Sequence, residues 1–191
     1  ANLAKCMLYA INGGRDEMTG HQIAPRFAPI TSDYLTYEEF MPKFEQMMRW
    51  LAKTYVNALK IIHYMHDKYD YEAFEMSLHD GDVERTRATG IAGLSIVTDS
   101  IAAMKHCKVR IIRDETGLAV DYKIEEGEYV PFGNNCDETD QIAVMLTEKF
   151  MEYLRQHRTY RDAIPTQSLL TITSNVVYGR NTGATPDGRA K

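Results

Sequence analysis

TYEEFMPKFEQMMRWLAKTYVNALKIIHYMHD, residues 36–67, decides the fold class. Thr36 and Glu39 stand in the T-x-x-E arrangement of a helix start, where the hydroxyl accepts the backbone N–H three residues on. Apolar residues then recur four and three apart at Leu51, Tyr55, Ala58, Ile62 and Met65, and Phe44 and Met48 extend the stripe backwards. The spacing predicts the longest helix of the chain, ending near Asp67, with Pro42 as the point from which it becomes regular. A helix with one apolar stripe needs a body to lie against.

Working outward, Leu3, Met7, Leu8 and Ile11 predict a first helix that Asn12-Gly13-Gly14 stops. A polar loop with Pro25 and Pro29 leads to Asp33. Beyond the long helix, Tyr71 to His79 reads as a short helix closed by Asp80-Gly81-Asp82. Gly90 to Leu94 reads as a buried strand feeding a helix capped by Ser95 and running to about His106. Lys105, His106 and Lys108 then face the negative end of that helix dipole. Val109 to Arg113 and Leu118 to Ile124 flank Asp114-Glu115-Thr116-Gly117, and the alternation of Leu118, Val120, Tyr122 and Ile124 predicts a hairpin with one buried face. After a loop at Gly133-Asn134-Asn135, Asp137 and Asp140 open a helix bearing Ile142, Met145, Leu146, Phe150, Tyr153 and Leu154 on one side. Leu169 to Thr173 reads as a last strand, and the residues from Gly179 onward as turns.

These elements make an α/β chain that is rich in helix and poor in strands. Two short strands far apart in sequence cannot close a barrel of the usual eight, so any further strands are expected outside these residues. The chain begins without Met and with a helical pattern already running at Asn2, so it is expected to start inside a larger protein.

Composition narrows the partners. With 22 Lys and Arg against 27 Asp and Glu, the formal charge is -5, and no basic field exists to hold a nucleic acid backbone or an anionic membrane. No apolar run reaches the roughly 20 residues of a membrane span. Cys6, Cys107 and Cys136 are far apart and never in a C-x-x-C pair, which argues against a disulfide framework and a zinc site. A reducing, cytoplasmic setting is expected.

Four places invite chemistry. His63 and His66 lie three apart, with Asp67 adjacent, but H-E-x-x-H is absent; they read as histidines near a helix C-terminus rather than as metal ligands. Tyr160 to Ser168 mixes Arg161 and Asp162 with hydroxyl residues, which fits an anion pocket less well than a solvated loop held by an Arg to Asp pair. Gly179 to Arg189 lacks the GK[ST] of a phosphate loop, and the G-x-G-x-x-G and G-x-S-x-G patterns are absent. Of the cysteines, Cys136, just ahead of a helix start, is the most reactive by position, yet all three read as bystanders because no base is placed beside them.

The strings ANLAKCMLYAINGG (1–14), WLAKTYVNALKIIHYMHDKYDYEA (50–73), LHDGDVERTRATGIAGLS (78–95), LAVDYKIEEGEYVPFGNN (118–135) and TYRDAIPTQSLLTITSNVVYGRNTGATPDGR (159–189) closely resemble pyruvate formate-lyases, members of the glycyl radical enzymes. The likeness is colinear from Ala1 to Lys191. HYMHDKY and TYRDAIPTQS resemble the pyruvate enzyme and its 2-ketoacid relatives, whereas TPDGR (185–189) recurs more widely among glycyl radical enzymes.

The resemblance implies part of a ten-stranded α/β barrel of two five-stranded parallel halves, residues 1–191 supplying the C-terminal part of the barrel domain. It implies a parent formate C-acetyltransferase, in which a glycyl radical installed by a radical SAM activating enzyme passes through cysteine thiyls, splits pyruvate, and leaves formate and an acetyl group for coenzyme A. A homodimer and the remainder of the enzyme are the implied partners. The family's adjacent cysteines precede the position of Ala1, and its RVSGYA-like glycine loop follows that of Lys191. No catalytic, cofactor-binding or metal residue of the family therefore maps onto this chain, which is expected to serve as wall and scaffold, to expose apolar surface and to be inactive alone. The alternatives are a neighbouring 2-ketoacid formate-lyase and a non-catalytic α/β interaction module.

Overall fold

Thr36 does cap the long helix. In the computed structural model, which describes residues 1–79, 81, 83–169 and 173–190, its hydroxyl accepts the Glu39 N–H at 3.4 Å. The Glu39 carboxylate takes the Ser32 hydroxyl at 2.6 Å instead of completing a reciprocal box. In chain order the elements are α1 (Leu3–Ile11), β1 (Tyr34–Leu35), α2 (Tyr37–Asp67), α3 (Tyr71–Met76), β2 (Thr86–Ala88), α4 (Leu94–His106), β3 (Lys108–Arg113), β4 (Ala119–Glu126), α5 (Asp137–Arg155), a 3-10 turn at Tyr160–Asp162, β5 (Ile164–Thr166) and α6 (Asn175–Arg180). Pro42 lies inside α2 without interrupting it, so the helix is regular earlier than the proline predicts.

Helices α1, α2, α4 and α5 pack on one another around a single core. Its centre is Met7, Phe40, Phe44, Ile101, Leu146 and Phe150, all fully buried, each such side chain contributing about 1.5–3 kcal/mol. The stripe of α2 follows Phe40, Phe44, Met48, Ala52 and Val56, a four-residue step. Ala58, Ile62 and Met65, expected on the buried face, are exposed. The reason is length: α2 outruns its neighbours after Val56, and its last turns project past the body.

The hairpin forms with Val109 opposite Ile124 and Ile111 opposite Tyr122, and β1 adds an antiparallel third strand through Tyr34 and Arg110. Asp114 shapes the turn by accepting the N–H groups of Thr116 and Leu118 at 2.8 and 3.0 Å. Asn12, expected only to stop α1, also ties it to the hairpin: its side-chain amide exchanges two hydrogen bonds with the Ala119 backbone, at 2.8 and 3.1 Å.

The strand expected at Gly90 to Leu94 is displaced. The paired residues are Thr86–Ala88, parallel to Ile164–Thr166, with Thr86 opposite Ile164 and Ala88 opposite Thr166. Thr89 and Ile91 continue the contact by donating to the Thr166 and Ser168 carbonyls, and Ala92 bridges in parallel to Asn2 on the other side. Three backbone runs thus lie side by side in one direction. Helix α4 is capped by Gly93 rather than Ser95, because Gly93 adopts φ 78° where a Cβ would stand 2.9 Å from Ala4. The strand expected at Leu169 to Thr173 lies largely outside the described residues, as do Asp80 and Asp82 of the predicted turn. The turns expected from Gly179 onward begin two residues later, because Gly179 and Arg180 close α6.

Candidate functional site

Two segments singled out in sequence meet at the end of α2. The Tyr160 hydroxyl donates to Asp67 Oδ2 at 2.7 Å, and Arg161 Nη2 reaches the same oxygen at 2.8 Å. His63, one turn back on the same face, puts Nε2 2.9 Å from Glu72 Oε2, while Glu72 Oε1 accepts from Arg85 and stands 3.6 Å from Arg161 Nη1. The turn that delivers Arg161 is strained: Arg161 and Asp162 both have positive φ, 52° and 53°. The hydrogen bond from Tyr160 and the Arg161 charge hold the Asp67 carboxyl below its ordinary range. Burial pushes Glu72 upward, but hydrogen bonds from Arg85 and His63 and the Arg161 charge leave it lowered.

The cluster borders a cavity of about 370 Å³ walled by Ile62, Tyr71, Met76, Val83 and Arg87. Asp67 Oδ1 and His63 Nδ1 are buried there and have no protein partner. His66 lies at the rim, packed edge-on to Tyr71. Among the described residues, no three His, Cys, Asp or Glu side chains are grouped to hold a metal ion. The Arg to Asp pair expected within the 160–168 loop is replaced by two others: Asp162 pairs at the surface with Arg158, ahead of the loop, and Arg161 pairs with Asp67 of α2, a partner no local reading supplies.

A second polar centre was missed in sequence. Thr182, Ala184, Thr185, Pro186 and Asp187 are buried although their composition is that of a turn. Arg189 Nη2 lies 2.8 Å from Asp99 Oδ2 and its Nε lies 3.1 Å from Asp187 Oδ2. Asp99 also accepts the Phe132 N–H at 2.7 Å, and Tyr129 donates to the Asp187 carbonyl at 3.1 Å. Burial pushes the Asp99 carboxyl up, against the Phe132 and Arg189 contacts that pull it down. Next to this, Gly183 N–H donates to Glu17 at 2.8 Å, and Lys5 bridges Glu17 and Asp16 at 2.7 and 2.8 Å. Both centres fasten elements together; neither places a nucleophile beside a base.

The cysteines separate as their positions suggest. Burial raises the Cys6 and Cys107 thiols. Cys136, at the N-terminus of α5, is lowered by the Thr139 N–H and hydroxyl near its sulfur. Among the described residues, no helix is long and apolar enough to cross a membrane.

Comparison with known proteins gives one family and one fold. The family model described as pyruvate formate lyase-like matches residues 1–179. Formate acetyltransferase 1 of Escherichia coli (strain K12) is 61% identical over 189 residues, which are 99% of this chain and 25% of that protein. The chain thus spans about a quarter of the curated relative it matches. Among solved structures, an enzyme of 1,2-propanediol dehydration in Roseburia inulinivorans superposes with a TM-score of 0.77 at 21% identity, covering 99% of this chain and 27% of that one. The B12-independent glycerol dehydratase of Clostridium butyricum gives 0.72 at 23% identity, covering 100% and 27%. A glycyl radical enzyme of Archaeoglobus fulgidus gives 0.73 at 21%, covering 99% and 27%. At these identities, the structures speak for the fold.

Proposed function

The chain belongs to the pyruvate formate lyase-like family, and from that premise we propose that it is a wall segment of a formate C-acetyltransferase, the C-terminal part of the barrel domain. The observation that carries the reading is the 61% identity to formate acetyltransferase 1 over 189 of the 191 residues. The parent enzyme converts pyruvate and coenzyme A to acetyl-CoA and formate. A glycyl radical, installed by a radical SAM activating enzyme, and cysteine thiyls supply the chemistry, all of it on residues outside this chain.

What these residues contribute is enclosure. A carbon-centred radical is quenched by oxygen and by stray hydrogen-atom donors, so the wall around it must be rigid and closed. The parallel runs at residues 86–92 and 164–168 suit barrel staves, and the helix layer of α2, α4 and α5 suits their outer backing. The Asp67, Glu72, Arg85 and Arg161 network ties the segments leading into the two staves to α2 and α3. A homodimer in the cytoplasm is the setting that goes with this reading.

The test is direct. The complete polypeptide that carries this chain, activated anaerobically, releases formate from pyruvate and coenzyme A, and residues 1–191 alone release none under the same conditions. Formate from the 191 residues alone would overturn the division of roles, and none from the complete activated polypeptide would overturn the family activity.

A further inference from the structure

Arg87 stands where a wall needs only an apolar residue. Side chains alternate along β2, so Thr86 and Ala88 share an exposed face and Arg87 points the other way. There it lines a small cavity with Val56 and Leu59 of α2 and Pro165 of β5, and Lys60, one turn beyond Val56, lines it too. Both cations are half-buried, and no carboxylate is among the lining residues. Among the described residues neither enters an ion pair, whereas the neighbouring Arg85 and Arg161 are matched to Glu72 and Asp67. Two like charges drawn partly out of water into one cavity are costly through desolvation and through mutual repulsion. A bound anion removes both costs.

The class of anion follows from the donors. The three hydroxyls of the cavity are committed elsewhere, Thr89 to the Thr166 carbonyl, Thr159 to the Ala163 carbonyl and Tyr160 to Asp67, which leaves the two cations. Arg offers a planar fork of N–H groups that fits two oxygens of a phosphate, and Lys adds a point charge. Two cations match the nearly dianionic head of a phosphate monoester better than the single charge of a carboxylate. Arg87 is also the residue this cavity shares with the larger one of about 370 Å³, whose walls include Ile62, Tyr71, Met76 and Val83. That volume is in the range of small-molecule sites. Its own carboxylates offer an anion little repulsion, since both Glu72 oxygens are engaged and Asp67 is held by Tyr160 and Arg161.

We propose that Lys60 and Arg87 bind the phosphate of a small organic phosphate monoester, whose apolar or aromatic body lies in the larger cavity against Ile62, Tyr71, Met76 and Val83. The site takes no part in the radical chemistry, and the wall role assigned above gives no reason for cations at these two positions. The inference therefore stands apart from that reading.

Isothermal titration calorimetry on the complete polypeptide tests the site, with phenyl phosphate as the probe and inorganic phosphate as its head alone. Phenyl phosphate should bind, and inorganic phosphate should bind at least tenfold more weakly because it leaves the larger cavity unfilled. Arg87→Met keeps the bulk of the side chain and suits its apolar neighbours, and Lys60→Gln keeps a polar group on α2. Each should weaken phenyl phosphate at least tenfold, while the unfolding temperature without ligand holds or rises because the repulsion is gone. No measurable heat from phenyl phosphate at millimolar concentration, equal binding of the two probes, or phenyl phosphate binding that survives both substitutions overturns the proposal. Formate release from the same preparations reports separately on the family reading.

Discussion

Arg189 reaches back 90 residues to Asp99, placing Nη2 2.8 Å from Oδ2, and so pins the end of the chain to α4. The Asp99 side chain is 2% exposed and the Arg189 side chain 49%. One partner is therefore buried and the other is half in water, which sets the scale of what the pair is worth.

Replacing Arg189 with Met leaves Asp99 and Asp187 buried without their cation. Loss of one partner from a fully buried pair costs about 3–5 kcal/mol; exposure of the guanidinium brings the expected loss down to about 1–3 kcal/mol. Asp99 has a raised folded pKa, so its contribution favours folding below the ordinary carboxylate range and is lost as pH rises through the folded value. The Arg189→Met penalty should accordingly be larger at neutral pH than near pH 3. Urea unfolding midpoints at the two pH values check this; equal penalties would mean that the pair does not titrate with Asp99.

Asp16 has the opposite sign. Burial pushes its carboxyl up, but the Lys5 hydrogen bond and the N–H groups of Thr19 and Met18 bring it down to about 2. A depressed acid stabilises the fold above its unfolded pKa and loses that contribution as pH falls through the folded one. Asp16→Asn should cost about 2 kcal/mol at pH 7, and the difference from the parent chain should shrink between about pH 4 and pH 2. A difference independent of pH would assign the role of Asp16 to its shape rather than to its charge.

Local periodicity made the helices and the hairpin legible. α1, α5 and the Val109 to Ile124 hairpin carry their apolar residues at the spacing their own geometry demands. β2 and β5 were not legible because Thr86-Arg87-Ala88 and Ile164-Pro165-Thr166 are three-residue strands with no apolar alternation, defined only by each other. The Thr182 to Asp187 segment escaped for a related reason. Its residues are small or polar, and Glu17 and Tyr129 meet Gly183 and Asp187 from sites remote in sequence while Arg189 ties Asp187 to Asp99. The His63 and Tyr160 segments each drew notice alone, but nothing local predicts that Tyr160 bonds Asp67 across 93 residues.

Cys136 should be the first of the three thiols to react. Thiolate is the attacking form, and Cys136 is the one whose pKa is lowered, while burial raises Cys107 and, more strongly, Cys6. With limiting iodoacetamide, peptide mass spectrometry should find Cys136 modified first, Cys107 next and Cys6 only on unfolding. The pH at which Cys136 labels half-maximally should lie below that of a free cysteine. Faster labelling of Cys107 would show that its exposure outweighs the thiolate fraction.

Two phenylalanines separate the core from the projecting surface. Phe44 is fully buried and stacked on Phe40, with ring centroids 5.0 Å apart, so Phe44→Ala should cost about 3–5 kcal/mol. Phe74, 78% exposed on α3, touches little in these 191 residues, and Phe74→Ser should change their unfolding free energy by no more than about 0.5 kcal/mol. The same substitution should dim the fluorescence of a dye that reports exposed apolar surface, because Phe74 and Leu78 are the most exposed large apolar residues described. Phe44→Ala should brighten that dye by loosening the core. If Phe74→Ser destabilises the 191 residues as much as Phe44→Ala does, α3 is part of their core and the projecting end of α2 is not the free edge described above.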